Sequence, residues 1–298
     1  MPLDVDAVRP TLEALAARFD ATWRERDPVR FAHRYADPAD REAAALLAAT
    51  FAFGGVKAIL GSLERLFERL GPRPAATLDG LAGARAARAL TRGFRHRWLG
   101  EIETAAILRA VRALRASHGS LEAAFAAGDD PRASDVEPGL AAFSERLRAA
   151  AGAAPAPGRA LKFAFPTPGG GSACKRLNLF LRWCARPADG VDLGLWTRVD
   201  RARLVVPLDV HLAFHARVLG FTRRPAADWR AALETTAALR RFDAVDPVRF
   251  DFALCHLGIH GDCRGRRDDK VCPACPLDAV CRLPRARPRR PRRSAAVP

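Results

Sequence analysis

An all-α protein is the fold class this chain predicts, on three observations. The composition is rich in Ala, Arg and Leu with a single Tyr, apolar residues recur at three- and four-residue intervals, and only two short stretches have strand character. Its 298 residues suffice for one large domain or two small ones with a sizeable core. At 49% hydrophobic and 28% charged residues, the chain is not a wholly disordered one.

The elements follow in order. Val5, Val8, Leu12, Leu15 and Phe19 share one helical face. Ala43 to Phe53 is the longest apolar stretch, interrupted by Thr50 and well short of the ~18–20 residues a membrane span needs. Val56, Ile59, Leu60, Leu63, Phe67 and Leu70 predict a helix ended by Gly71-Pro72. Ile107, Val111 and Leu114 predict another, stopped near Gly119. Leu140, Phe143 and Leu147 predict one more before a loose linker, AAGAAPAPG. In Phe165–Trp183 a glycine loop leads into a helix capped by Ser172, with Leu177, Phe180, Leu181 and Cys184 buried. The strand-like stretches are Val191–Trp196 and Leu204–Leu208. Asp209 then caps a helix facing Leu212, Ala216 and Leu219 inwards. Trp229, Leu233 and Ala237 mark the next helix. Asp246 and Pro247 predict an N-cap and first-turn proline before Val248, Phe252 and Cys255, with Gly258 as the stop. No repeat of solenoid period is present.

Charge narrows the partner. With 49 Lys+Arg against 33 Asp+Glu the net charge is +16, which favours polyanions through counterion release. The Pro-broken segment Arg282–Arg293 holds seven Arg and no acid, and reads as a disordered arm. Without it the chain remains clearly basic, at +9. The N-terminus, MPLDVDAVRP, lacks the apolar core of a signal peptide, so a cytoplasmic location is expected.

Only four of the basic residues are lysines: Lys57, Lys162, Lys175 and Lys270. An amine can lose its proton and attack carbon, which a guanidinium does not do. Lys175 falls in the first turn of the helix after Gly169, Gly170, Gly171 and Ser172. Backbone N–H groups there can hold a phosphate, and the positive end of the helix favours a neutral amine. A lysine that merely meets phosphate or solvent is the alternative. Asp209 as a simple cap is the bland reading; a carboxylate that stabilises a cationic transition state is the other.

Four of the seven cysteines, Cys263, Cys272, Cys275 and Cys281, stand as C-x8-C-x2-C-x5-C. Such crowding argues against a secreted disulfide framework and for a metal site in a reducing compartment. One close pair with unequal flanks suits a 4Fe-4S cluster, and four-Cys zinc is the alternative. Cys255 lies on an apolar helix face and reads as core, while His256 and His260 remain available as extra zinc ligands.

These motifs carry a resemblance. A helix followed by LGIHGDC and then CPACPLDAVC (Cys272–Cys281) resembles the C-terminus of the endonuclease III branch of helix-hairpin-helix DNA glycosylases. VPLDVH (Val206–His211) is similar to the motif that carries the catalytic aspartate there. Three departures accompany it: the first cysteine gap is long, PTPGGG replaces the usual L-P-G-x-G hairpin, and 34 residues separate Lys175 from Asp209. That last gap is closer to the archaeal 8-oxoguanine glycosylase branch. The whole chain looks most like an uncharacterised bacterial family within the superfamily.

The resemblance implies two helical subdomains flanking a DNA-binding cleft with a helix-hairpin-helix motif, plus a C-terminal iron–sulfur loop. The core would span 1–262, with 40–205 as the central subdomain and the N-terminal helices pairing with 206–262. The cluster loop would be 263–281 and the disordered basic tail 282–298. It implies a base-excision glycosylase with abasic-site lyase activity, acting as a monomer on double-stranded DNA that carries a damaged or abasic site, without membrane contact and near the nucleoid. An oxidised purine is the favoured base.

Lys175 would be the nucleophile and Asp209 the carboxylate. Gly169, Gly170, Gly171, Ser172, Arg176 and His211 would contact DNA, as would Arg264, Arg266, Arg267 and Lys270 in the loop of a structural 4Fe-4S cluster. Phe51 and Phe53 in ATFAFGGVK read as core, or as a wedge beside a flipped base. GFRHRWLG (Gly93–Gly100) fits a DNA-lining loop, with a buried Trp98 as the alternative. A monofunctional glycosylase and a non-catalytic DNA-binding module are the competing functions.

Overall fold

Acidic caps and apolar stripes set most helix positions. The computed structural model describes residues 3–151, 158–259, 263 and 265–284. Asp4 caps α1 (Val5–Arg18), accepting the Ala7 N–H at 3.1 Å, and Asp37 caps α2 (Pro38–Thr50). The stripe from Val56 forms α3 (Val56–Leu70), which ends at Gly71 with φ +73°. Next come α4 (Pro74–Asp79), α5 (Gly83–Thr91) and α6 (Glu101–His118), the last stopped by Gly119 at φ +80°. They are followed by α7 (Leu121–Ala126), α8 (Glu137–Ala150), α9 (Gly158–Ala164), α10 (Lys175–Ala185), α11 (Val210–Leu219), α12 (Trp229–Arg240) and α13 (Asp251–Ile259). No strand forms among the described residues, so the fold is all-α.

Several expectations need correction. Val191–Trp196 is not a strand: it closes the end of α10, with the Leu193 N–H on the Trp183 carbonyl (2.7 Å) and the Leu195 N–H on that of Cys184 (2.8 Å). Leu204–Leu208 is a buried extended segment whose Val206 N–H donates to Thr236 Oγ1 at 3.1 Å. In each stretch some amides bond to a neighbouring helix and others close local turns, as Val191 and Asp192 do on Asp189 and Leu208 on Val206, so no ladder is needed. The last helix starts at Asp251 because Asp246 is held by Arg186 (3.0 Å) rather than acting as a cap, and it runs through Gly258. Of the linker AAGAAPAPG, residues 152–157 lie outside the described residues.

The apolar stretch from Ala43 is buried on every face, as an all-apolar helix must be. It makes α2 the central helix, packed against α10 and α4. Glu42 is buried on it and accepts the N–H groups of Leu121 and Glu122 (both 2.9 Å) and Trp196 Nε1 (2.8 Å). The first and last helices meet, since α1 packs on α13, as does α11. Arg9 also donates to the Phe242 carbonyl at 2.6 Å.

Candidate active site

The segment before α10 turns sharply. Pro168–Gly170 forms one 3-10 turn, Gly171 takes φ +76°, and Cys174 caps α10 with φ +50°. Ser172 does not cap the helix; its Oγ accepts the Cys174 N–H at 3.1 Å, which moves the helix start two residues along. Cys174 is one of two non-glycine residues at positive φ among the described residues, so the backbone is strained next to Lys175. Burial pushes the Cys174 thiol up to about 12, and its Sγ lies 3.4 Å from the Pro166 carbonyl as a donor.

Lys175 is therefore the first residue of α10, and Asp209 is the N-cap of α11, with Oδ1 accepting the Leu212 N–H at 2.8 Å. Both line one cleft of about 610 Å³. Lys175 Nζ donates to the Ala52 carbonyl, at the end of α2, at 3.1 Å. Ser172, Arg176 and His211 also line the cleft, and Phe53, Gly54 and Gly55 form its rim after α2. Gly169, Gly170 and Gly171 stand exposed on the outer side of the turn.

The face of α13 supplies what sequence reasoning missed. Asp251, Cys255, His256 and Ile259 line the cleft, so Cys255 belongs to the site wall rather than to the core alone. Its Sγ donates to Asp209 Oδ2 at 3.2 Å. Loss of water contact, followed by the charges of Asp209 and Asp251, pushes this thiol well above its ordinary value. Below lies a buried charge network: Arg182 bridges Asp251 (2.8 Å) and Asp192 (3.0 Å), and Arg186 bridges Asp192 and Asp246. Burial raises Asp251 to about 6, against the pull of Arg182. The i, i+4 pair Asp251/Cys255 and the i, i+7 pair Lys175/Arg182 were the available signals. His256 faces Asp27 at 3.3 Å, within the helical body.

Phe51 is fully buried, whereas Phe53 is partly exposed with its ring 4.5 Å from His96 and 4.8 Å from Phe163. Trp98 is 42% exposed, which overturns the buried alternative. Arg176 is not a free phosphate contact: it donates to the Phe163 carbonyl and lies 4.0 Å from that ring's centroid, and burial lowers it to about 10.

In the cysteine loop, Arg264 and His260 lie outside the described residues. Arg266 and Lys270 are exposed, and Arg267 is held by Asp278. Arg282 is docked, its N–H on the Val218 carbonyl at 2.8 Å, and residues 285–298 of the tail lie outside the described residues. All four loop cysteines are free thiols, and no metal-binding group of three or more donors stands assembled among the described residues. Three of the sulfurs accept backbone N–H groups: Cys263 from Gly265, Cys272 from Asp268 (3.3 Å), and Cys275 from Leu277. Amide donors on sulfur are what metal–thiolate centres use, so this donor set fits either a 4Fe-4S cluster or zinc.

Fold and site define an all-α protein with an amine, a carboxylate and a thiol gathered in one cleft. The chain belongs to the family described as "Protein of unknown function (DUF2400)", whose model matches residues 27–260. That range contains every cleft-lining residue but Arg26 and stops short of the cysteine loop. No curated protein and no solved structure matches the chain. Among the described residues, no helix is long and apolar enough to cross a membrane.

Proposed function

We propose that this cleft excises damaged bases from duplex DNA and cleaves the resulting abasic site. The observation that carries the reading is the convergence of Lys175 and Asp209, from two helix starts, on one cleft of about 610 Å³. A volume of that size takes a flipped nucleoside. In the reaction, the Lys175 amine bonds to C1′ while the bond from C1′ to the base breaks, its electron pair leaving with the base. Asp209 faces the positive charge that builds on the sugar and accepts the proton released by the amine. Opening of the sugar ring yields the Schiff base, and loss of a C2′ proton expels the 3′ phosphate.

On this reading α9, the loop 165–174 and α10 form the helix-hairpin-helix element. Cys263, Cys272, Cys275 and Cys281 hold a structural 4Fe-4S cluster that supplies no chemistry, because protein fills all four of its ligand places. Arg266 and Lys270 then face the DNA backbone from that loop. The enzyme acts as a monomer in the cytoplasm.

One contact favours a second reading. Lys175 Nζ is engaged by the Ala52 carbonyl, as it would be in a monofunctional glycosylase where the lysine only positions. Borohydride trapping on abasic-site DNA separates the two. A covalent adduct that disappears in Lys175→Ala supports the lyase, and base release without an adduct supports the monofunctional enzyme. Binding with neither leaves a non-catalytic DNA module.

A further inference from the structure

The stretch 80–100 holds five arginines, at 85, 88, 92, 95 and 97, and no acidic residue. Elsewhere many guanidinium groups are tied to carboxylates: Arg115 to Asp79 (3.0 Å), Arg203 to Asp129 (2.7 Å), Arg224 to Asp228 (2.6 Å). These five are exposed, and none has an ion-pair partner among the described residues. What sets this stretch apart is density: five exposed guanidinium groups within thirteen residues and no acid among them make a basic surface that suits an outside anion.

The arrangement is linear. Arg85 and Arg88 lie at i and i+3 on α5 and Arg92 follows at i+7 as its C-cap, while Ala87 and Thr91 face the core. Together they line a second concavity of about 420 Å³ with Glu101, whose carboxylate accepts the Gly93 N–H at 2.8 Å. The carboxylate offsets one charge and leaves the concavity basic. Seven helical residues rise ~10.5 Å, about three steps of ~3.4 Å along one DNA strand.

The next loop carries the row to the cleft. Arg97, at φ +54°, lays its side chain over Gly54: a Cβ there would sit 2.8 Å from Arg97 Cδ, and Gly54 lines the cleft. Large exposed apolar side chains flank this face only at Trp98 and Ile102 among the described residues, too few for insertion into a lipid surface.

We propose that Arg85, Arg88 and Arg92, continued by Arg95 and Arg97, form a track for the sugar-phosphate backbone of duplex DNA running from the cleft mouth along α5. The choice of DNA rests on the base-excision reading; the charge geometry stands on its own. The track fixes the side on which the flanking duplex lies, independently of the cysteine loop.

The test is the salt dependence of binding to a labelled, undamaged 30-base-pair duplex. Each phosphate contact contributes about 0.9 to the log–log slope. The triple variant R85A/R88A/R92A is expected to be shallower by about 2.7, and R85K/R88K/R92K to stay close to the unaltered protein. An unchanged slope overturns the proposal. So does a loss seen on phosphatidylserine vesicles but absent on duplex. Labelling of the unaltered protein with an arginine-specific reagent needs no variant: the duplex should protect Arg85, Arg88 and Arg92, and equal labelling with and without it overturns the track.

Neither measurement requires turnover. A lost slope with neither a borohydride adduct nor base release sinks the base-excision reading and keeps the track; a retained slope with a clear adduct sinks the track alone.

Discussion

Cys255 donates its thiol to Asp209, Sγ to Oδ2 at 3.2 Å, across 46 residues of chain. Asp209 thereby has both carboxylate oxygens engaged, one by the α11 backbone and one by α13. Loss of water contact and the adjacent carboxylates keep Cys255 a protonated thiol at neutral pH, so it serves as a donor rather than a nucleophile. Cys255→Ser should preserve base release within a few-fold. Cys255→Ala, losing a hydrogen bond to a charged group worth about 1.5–3 kcal/mol, should slow it roughly tenfold or more. Single-turnover kinetics decide, and equal rates for the two variants would remove Cys255 from the site's machinery.

Asp209→Asn separates chemistry from folding. Asn caps a helix as well as Asp does, so the melting temperature should hardly move. Base release should nevertheless vanish, because a neutral amide cannot oppose the sugar's positive charge. A variant that remains active would return Asp209 to the role of a cap alone.

Asp251 makes stability depend on pH. Its folded value of about 6 lies above the ordinary 3.8, so the folded protein binds this proton more tightly than the unfolded chain does. The contribution is fully present below about 4 and lost as pH rises towards about 6. Asp251→Asn should flatten that part of the profile in denaturant titrations between pH 4 and 7. An unchanged slope would show that another group is responsible.

Gly54 tests the cleft rim. It takes φ +99°, and an added Cβ would press on the Arg97 side chain. Gly54→Ala should cost about 1–2 kcal/mol from the backbone alone. In a chain of this size that lowers the melting temperature by several degrees. Calorimetry reads the effect directly.

The cysteine loop predicts bound metal. Anaerobically purified protein should contain iron and labile sulfide in equal amounts, near four of each per chain for the cluster. Cys272→Ser and Cys275→Ser should lose both. Zinc at one per chain without sulfide would decide for the alternative.

The helices were largely readable from the chain alone, because their signals are local. Val56 to Leu70 carries its own apolar stripe and a terminating glycine, and Asp209 lies three residues before the amide it caps. Where a polar side chain had a distant partner, local rules failed. Asp246 looks like a cap but is held by Arg186, sixty residues away in sequence. Ser172 looks like a cap but serves the turn before α10. The two strand-like runs lacked a neighbouring strand and settled on helices instead.

Sequence by itself determined the all-α class and the basic balance, and singled out Lys175 and Asp209 as the candidates for a chemistry. Tertiary structure alone decided that they share a cleft, that Cys255 and Asp251 join them, and that Arg176 and Arg267 are already held while Arg85, Arg88 and Arg92 gather around Glu101 without an ion pair among the described residues. The reason is range. Periodicity and capping act over a few residues, whereas burial and charge pairing depend on which segments the packing of α2, α10, α11 and α13 brings together.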